Sequence, residues 1–240
     1  MSNLKRYKMF IDGDWVESKG KKTFKTLNPE NNEPWAEVPE ANKNDVDIAV
    51  KAAQKAFVGI WSKLFPRDRA KYLKEIANQL RENSEHLGRI ETIDTGKLFK
   101  ETKTQANYIA EYYDYYAGLA DKVEGTVLPI DKPNMQVITT RVPIGVVAAI
   151  IPWNSQMLLT AVKLAPALAM GNTVVIKSSE LAPATLFEFA KLIEKTGIPK
   201  GVVNVISGFG EPCGKELTSH NLVERVAFTG GPETAKHIIR

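Results

Sequence analysis

Residues 145–178 read GVVAAIIP, WNS, QMLLTAVKLAPALAMG, NTVVIKS in unbroken order. The opening run is continuously apolar and β-branched, as a strand buried on both faces requires. A helical pattern follows, and then a second apolar strand. The alternation continues outward with helix PATLFEFAKLIEKTG (183–197), strand GVVNVIS (201–207), helix EPCGKELTSH (211–220), strand RVAFTG (225–230) and helix PETAKHIIR (232–240). Apolar strands alternating with amphipathic helices predict an α/β fold, a doubly wound, Rossmann-like parallel sheet covered on both faces. Right-handed crossovers align the carboxyl ends of all strands on one edge, and ligands of such sheets bind along it.

Upstream the rhythm differs. Tyr7–Val16, turning at Asp12-Gly13, and Thr23–Leu27 read as short strands of a small antiparallel layer. The stretch DVDIAVKAAQKAFVGI puts Val46, Ala49, Val50, Ala53 and Phe57 on one helical face, with Asn44 or Asp45 as the cap. A second helix is expected from Pro66 to about His86 and a third from near Lys97. The tyrosines at 108, 112, 113, 115 and 116 recur at helical spacing and read as packing rather than a stacking platform. Turn residues between β-branched runs at 122–142 predict a protruding β-hairpin, which is marginal alone and expected to pack against another body. The expected organisation is an N-terminal strand-and-helix layer (1–121), the hairpin (122–142) and the Rossmann-like region (143–240).

Among the 240 residues, 43% are hydrophobic and 25% charged, enough apolar material for a sizeable core. The net charge of +4 is dispersed, so neither a nucleic acid nor a membrane surface is expected as partner. Cys213 is the single cysteine, which excludes an intrachain disulfide and fits a reducing compartment. The start MSNLKRYKMFIDGDW lacks the apolar centre of a signal peptide, and no apolar run approaches the ~20 residues of a membrane span. A cytoplasmic protein is expected. His86, His220 and His237 have no metal-ligand spacing with carboxylates or thiols.

Four strand ends define the candidate edge: Pro152-Trp153-Asn154, Lys177-Ser178-Ser179-Glu180, Ser207-Gly208-Phe209-Gly210 and Phe228-Thr229-Gly230-Gly231. Glycine-rich turns that open helices bring backbone N–H groups and a positive dipole end to a phosphate. A carboxylate such as Glu180 after the second strand can accept both hydroxyls of an adenosine ribose and repel a 2′-phosphate, which argues for NAD and leaves NADP open. Each feature has a plainer reading. The Gly208-x-Gly210-x-x-x-Gly214 run misses the dinucleotide fingerprint spacing and can be a tight strand-to-helix turn. Glu180 can simply favour a helix start, and Asn154 can cap the helix that follows it.

GVVAAIIPWN, KLAPALAMGNTVVIKSSE, GIPKGVVNVISGFG and VAFTGG, with MFIDGDWV, LNPENNE and ETIDTGK upstream, resemble the aldehyde dehydrogenase superfamily over essentially the whole chain. The resemblance implies NAD(P)-dependent oxidation of a small-molecule aldehyde to an acid through a cysteine thiohemiacetal, and a homo-oligomer (dimer or tetramer) joined through the hairpin. It implies that the Asn154 amide donates to the oxyanion of the tetrahedral intermediate. Ile151, Pro152 and Trp153 would line the cofactor groove. Lys177 and Glu180 would hold the adenosine ribose, with Ser179 between them on the cofactor side. Gly210, Phe228, Thr229, Gly230 and Gly231 would line the adenine and pyrophosphate path. Lys163 receives no role.

The sequence departs from that pattern at Ser155 and Gln156, where an aromatic residue and a proline are usual, at Ser178 in place of proline, and at Gly231 in place of serine. The substrate tunnel implied at residue 155 is therefore expected to be more open or polar. The glutamate and cysteine of the implied chemistry would lie beyond Arg240, and Cys213, on the cofactor side, is not expected to replace the cysteine. The chain ends inside the helical segment PETAKHIIR and reads as truncated. These residues alone are expected to be inactive. The alternatives are a catalytically inactive dinucleotide-binding or assembly fragment, or the same fold applied to coenzyme A or a phosphorylated substrate.

Overall fold

The computed structural model describes residues 4–239. In chain order its elements are β1 (Lys5–Arg6), β2 (Met9–Ile11), β3 (Asp14–Val16), β4 (Thr23–Asn28), β5 (Glu33–Pro39), α1 (Lys43–Gly59), α2 (Pro66–Glu82), α3 (Ser84–Thr95) and α4 (Phe99–Leu119). Then follow β6 (Val127–Leu128), β7 (Val137–Ile138), β8 (Val146–Ile150), α5 (Gln156–Ala169), β9 (Thr173–Lys177), α6 (Ala184–Lys195), β10 (Val203–Ile206), α7 (Lys215–Thr218), β11 (Val223–Phe228) and α8 (Pro232–Ile239).

The central sheet runs β11-β8-β9-β10-β2-β3, with its first four strands parallel. Strands β8, β9 and β10 succeed each other outward, and the chain then crosses back to lay β11 on the other side of β8. That reversal makes a topological switch point between β8 and β11, where the loops leave in opposite directions and open a crevice. Helices α5 and α6 cover one face, backed by α2–α4, and α1 with α7 covers the other. Two buried clusters correspond to these faces. In the second, Met9, Ile11, Val46, Ala49, Val50 and Ala53 pack with Val146, Ala148, Val175 and Ile206.

The expected parallel sheet is present, and several N-terminal details need correction. β2 and β3 do not belong to a separate antiparallel layer. β2 pairs antiparallel with β10 through Phe10 and Val205 and so extends the main sheet. The separate N-terminal sheet is β1-β5-β4, in which β1 is parallel to β5. The cap of α1 is Asn42, in a reciprocal capping box with Asp45, rather than Asn44 or Asp45. The helix expected to reach His86 is two helices, α2 and α3, broken at Asn83. Among the tyrosines, Tyr113 is fully buried while Tyr108 and Tyr115 are exposed. The hairpin projects as expected: from 121 to 142 only Val137 is even half-buried.

Two buried carboxylates fasten α6 to the N-terminal elements. Asp94 accepts from the backbone N–H groups of Ala184 and Thr185 at 2.8 and 3.2 Å, and so caps α6 from another helix. Glu188 accepts from Lys5, Tyr7 and Lys191 and pairs with His86 at 3.0 Å.

Candidate cofactor site and oxyanion loop

A cavity of about 650 Å³ opens at the switch point, lined by the ends of β8, β9 and β11 and by the turn after β10. That volume lies within the range of ordinary small-molecule sites. Ile151, Pro152, Trp153, Lys177, Ser179, Glu180, Gly210, Phe228, Thr229, Gly230 and Gly231 all line it. Four segments distant in sequence therefore meet around one space. The strand registers explain the convergence: Ile150 lies level with Lys177 on one side and Phe228 on the other. Backbone bonds continue past the strand ends, from Ile151 N to Lys177 O (3.1 Å) and from Ser178 N to Ile206 O (3.0 Å).

The walls are chemically sorted. Lys177 is buried and donates to Ser178 O at 3.0 Å and to Glu180 Oε2 at 3.4 Å. Its ammonium and the half-exposed Glu180 carboxylate thus stand side by side on the cavity wall, a donor next to an acceptor. Gly231 has open space where a Cβ would stand, as has Gly210. The N-terminus of α8 is thus open for main-chain contact, and a small side chain at 231 would meet no neighbour. At Gly230, by contrast, a Cβ would come within 2.4 Å of the Phe228 ring. Any larger residue at 230 would have to displace that ring.

The third strand end corrects the sequence reading. No regular helix opens at Gly210. Residues 210–214 form a single wide turn with Glu211 extended, and α7 is only four residues long. The start of the glycine run packs closely on that turn: a Cβ at Gly208 would meet the Cβ of Cys213 at 2.8 Å. The regular helix start at the cavity is that of α8, after Phe228-Thr229-Gly230-Gly231. Cys213 is fully buried beneath the turn, and burial pushes its thiol up to about 12, with Lys177 pulling the other way. Such a thiol stays protonated and is no nucleophile at neutral pH.

Asn154 stands one residue beyond the cavity lining and is exposed. It does not cap α5. The N-cap is Ser155, which makes no capping bond either. The Asn154 amide has no hydrogen bond among the described residues, so both of its donors remain available. Ser155 instead accepts from Lys97 Nζ at 2.7 Å. Gln156 is buried and its amide donates to Ala182 O, which ties the start of α5 to the loop after β9. Lys163, about two turns deeper in α5, donates to Thr229 Oγ1 at 2.7 Å and to Leu159 O at 3.1 Å. Partial burial lowers its pKa.

Sequence reasoning missed the opposite wall. Lys215 and Thr218 of α7, and Thr234 and His237 of α8, also line the cavity. Their only signal was position on a helix face, and the faces of such short helices carry no clear periodicity. Among the described residues there is no cluster of potential metal ligands.

The aldehyde dehydrogenase family profile matches residues 15–240. The chain belongs to the aldehyde dehydrogenase family. It is 52% identical over 99% of its length to a (Z)-2-((N-methylformamido)methylene)-5-hydroxybutyrolactone dehydrogenase of Acinetobacter baylyi, covering 48% of that protein. It is 42% identical to a betaine aldehyde dehydrogenase of Bacillus subtilis, over 97% of this chain and 48% of that one. A crystal structure of betaine aldehyde dehydrogenase from Staphylococcus aureus in complex with NAD+ superposes with a TM-score of 0.94 at 40% identity, over 99% of this chain and 47% of the other. The chain spans about half the length of the curated relatives it matches.

Proposed function

We propose that these residues form the coenzyme half of an NAD-dependent aldehyde dehydrogenase. The observation that carries this reading is the convergence of eleven residues from four separate segments on one switch-point cavity, which ends at a free asparagine amide. Lys177 and Glu180 would hold the adenosine ribose, and the Gly230-Gly231 turn with the start of α8 would hold the pyrophosphate. NAD, when bound, supplies the hydride acceptor. Glu180 would repel a 2′-phosphate and so favour NAD over NADP.

The unpaired donors of Asn154 support a role as hydrogen-bond donor to an oxyanion. A preorganised neutral N–H aimed at a developing oxyanion lowers the barrier to addition without prior reorganisation. The nucleophile is not supplied by Cys213, whose thiol is buried and protonated. The chain of 240 residues is therefore expected to bind dinucleotide without turning over aldehyde, and the complete protein to do both. The relatives it resembles act on unlike substrates, a hydroxybutyrolactone in one case and betaine aldehyde in another. The exposed hairpin, with Val127, Leu128 and Ile138 facing outward, is proposed as the arm through which copies associate. No helix among the described residues is long and apolar enough to cross a membrane.

The test is NADH formation from an aldehyde panel by the complete protein and by the 240-residue chain. NADH from the complete protein alone is expected. Turnover by the shorter chain would contradict the assignment of its missing nucleophile, and no turnover by either would remove the dehydrogenase reading.

A further inference from the structure

The segments that leave β8 and β9 are tied together at two places. The first tie is the backbone bond from Ile151 N to Lys177 O at 3.1 Å, just past the strand ends. The second lies five residues further along both segments, where the Gln156 side-chain amide donates to Ala182 O. Among the described residues no other hydrogen bond joins 152–156 to 178–183. The two ties therefore close a ring. One arm carries Pro152, Trp153 and Asn154, and the other carries Ser178, Ser179 and Glu180. Beyond Ala182 the second arm is anchored again, because Asp94 Oδ2 accepts from the N–H groups of Ala184 and Thr185.

Stability alone does not account for Gln156. It is the first residue of α5 and is fully buried, yet only one end of its amide is satisfied. Nε2 donates to Ala182 O, while Oε1 is buried and has no partner among the described residues. A buried acceptor left unpaired is costly, and an apolar side chain of equal length would not carry one. Proline, expected at 156 from the resemblance, has no side-chain donor with which to make the bond. What the amide adds is the link between the two arms. Asn154 depends on such a link, since its own amide is unpaired and the N-cap Ser155 makes no capping bond. Between Ile151 and the body of α5, the side-chain bonds that hold its arm are Lys97 Nζ to Ser155 Oγ and Gln156 Nε2 to Ala182 O.

We propose that Gln156 is a positioning residue: by tying the Asn154 arm to the Glu180 arm it holds the Asn154 amide in place for the reaction, so that the oxyanion donor and the cofactor loop move as one unit. The proposal rests on the aldehyde dehydrogenase reading, with Asn154 donating to the oxyanion. Misplacing a reacting group by about 1 Å can cost up to roughly a hundredfold in rate.

The test is a double-mutant cycle in the complete enzyme, reading kcat from NADH formation, NAD affinity by calorimetry and the melting temperature. Methionine matches glutamine in length and lacks both polar atoms of the amide. Gln156→Met is expected to lower kcat roughly tenfold, with NAD affinity and melting temperature close to wild type. In an Asn154→Ala background the same substitution should lower kcat no further, because Gln156 acts through the amide already removed. An unchanged kcat in Gln156→Met overturns the proposal. So does a loss of the same size repeated in the Asn154→Ala background, the result a merely structural role would give. Gln156→Glu has the same outline and no amide proton to donate, and it takes the place of the methionine variant should that one not fold. Loss of the fold in both assigns Gln156 to stability and overturns the proposal as well. No NADH from any aldehyde with the wild-type protein sinks the dehydrogenase reading and the proposal with it; NADH formation with additive losses sinks the proposal alone.

Discussion

Asn154 and Glu180 carry separable parts of the proposed chemistry. Replacing Asn154 by alanine removes an N–H donor from the developing charge but leaves the cavity lining intact. In the complete enzyme kcat is expected to fall roughly 10²–10³-fold, with NAD affinity unchanged by calorimetry. A fall in NAD affinity of the same size would place Asn154 in the cofactor site instead. At Glu180, glutamine removes the charge proposed to exclude a 2′-phosphate. Glu180→Gln is expected to shift the NADP-to-NAD affinity ratio upward by roughly tenfold or more, since each factor of ten is about 1.4 kcal/mol. Titrating both dinucleotides checks it, and an unchanged ratio would detach Glu180 from cofactor choice. The residues on the strand ends were legible in the sequence because four apolar strands stop at chemically distinctive short stretches. The Lys97–Ser155 bond was not, because nothing local to either residue indicates a partner 58 positions away.

At the level of elements, α6 shows how the N-terminal segments hold the sheet. Burial alone would push the Glu188 carboxyl up. Hydrogen bonds from Lys5, His86, Tyr7 and Lys191 outweigh it and hold the group at about 2, below its ordinary 4.5. A carboxyl depressed in the folded state stabilises above its unfolded pKa and loses that contribution as pH falls through the folded one. Stability should therefore decline between pH of about 4.5 and about 2, and Glu188→Gln should flatten that part of the profile. The variant is also expected to cost roughly 1–3 kcal/mol at neutral pH, as urea melts at a series of pH values would show. An identical acid profile in the variant would contradict the account. Elements made of continuous β-branched runs were read correctly because burial on both faces leaves a local imprint. β5 was missed because Pro34 and Pro39 bracket it. The break at Asn83 was missed because neither glycine nor proline marks it. The pairing of β2 with β10 is set by contacts between remote parts of the chain and leaves no mark in either segment.

For the molecule as a whole, the coenzyme sheet is completed by residues far upstream of it. One face is buried by α1 and by Met9 and Ile11, and β2–β3 extend the sheet beyond β10. Residues 143–240 expressed alone would expose that face, and the loss of burial at about 25 cal/mol per Å² exceeds what a small domain can spare. No cooperative thermal transition is expected from that fragment, while the 240-residue chain should melt as one unit; a sharp transition in the fragment would show that the sheet needs no upstream support. The central claim is that the switch-point cavity is a dinucleotide site. A titration of the isotopically labelled 240-residue chain with NAD, followed by amide chemical shifts, tests it most directly. The account predicts saturable changes concentrated at Ile150–Trp153, Lys177–Glu180 and Phe228–Gly231, with the hairpin silent. Saturable changes elsewhere, or none at these three strand ends, would contradict it.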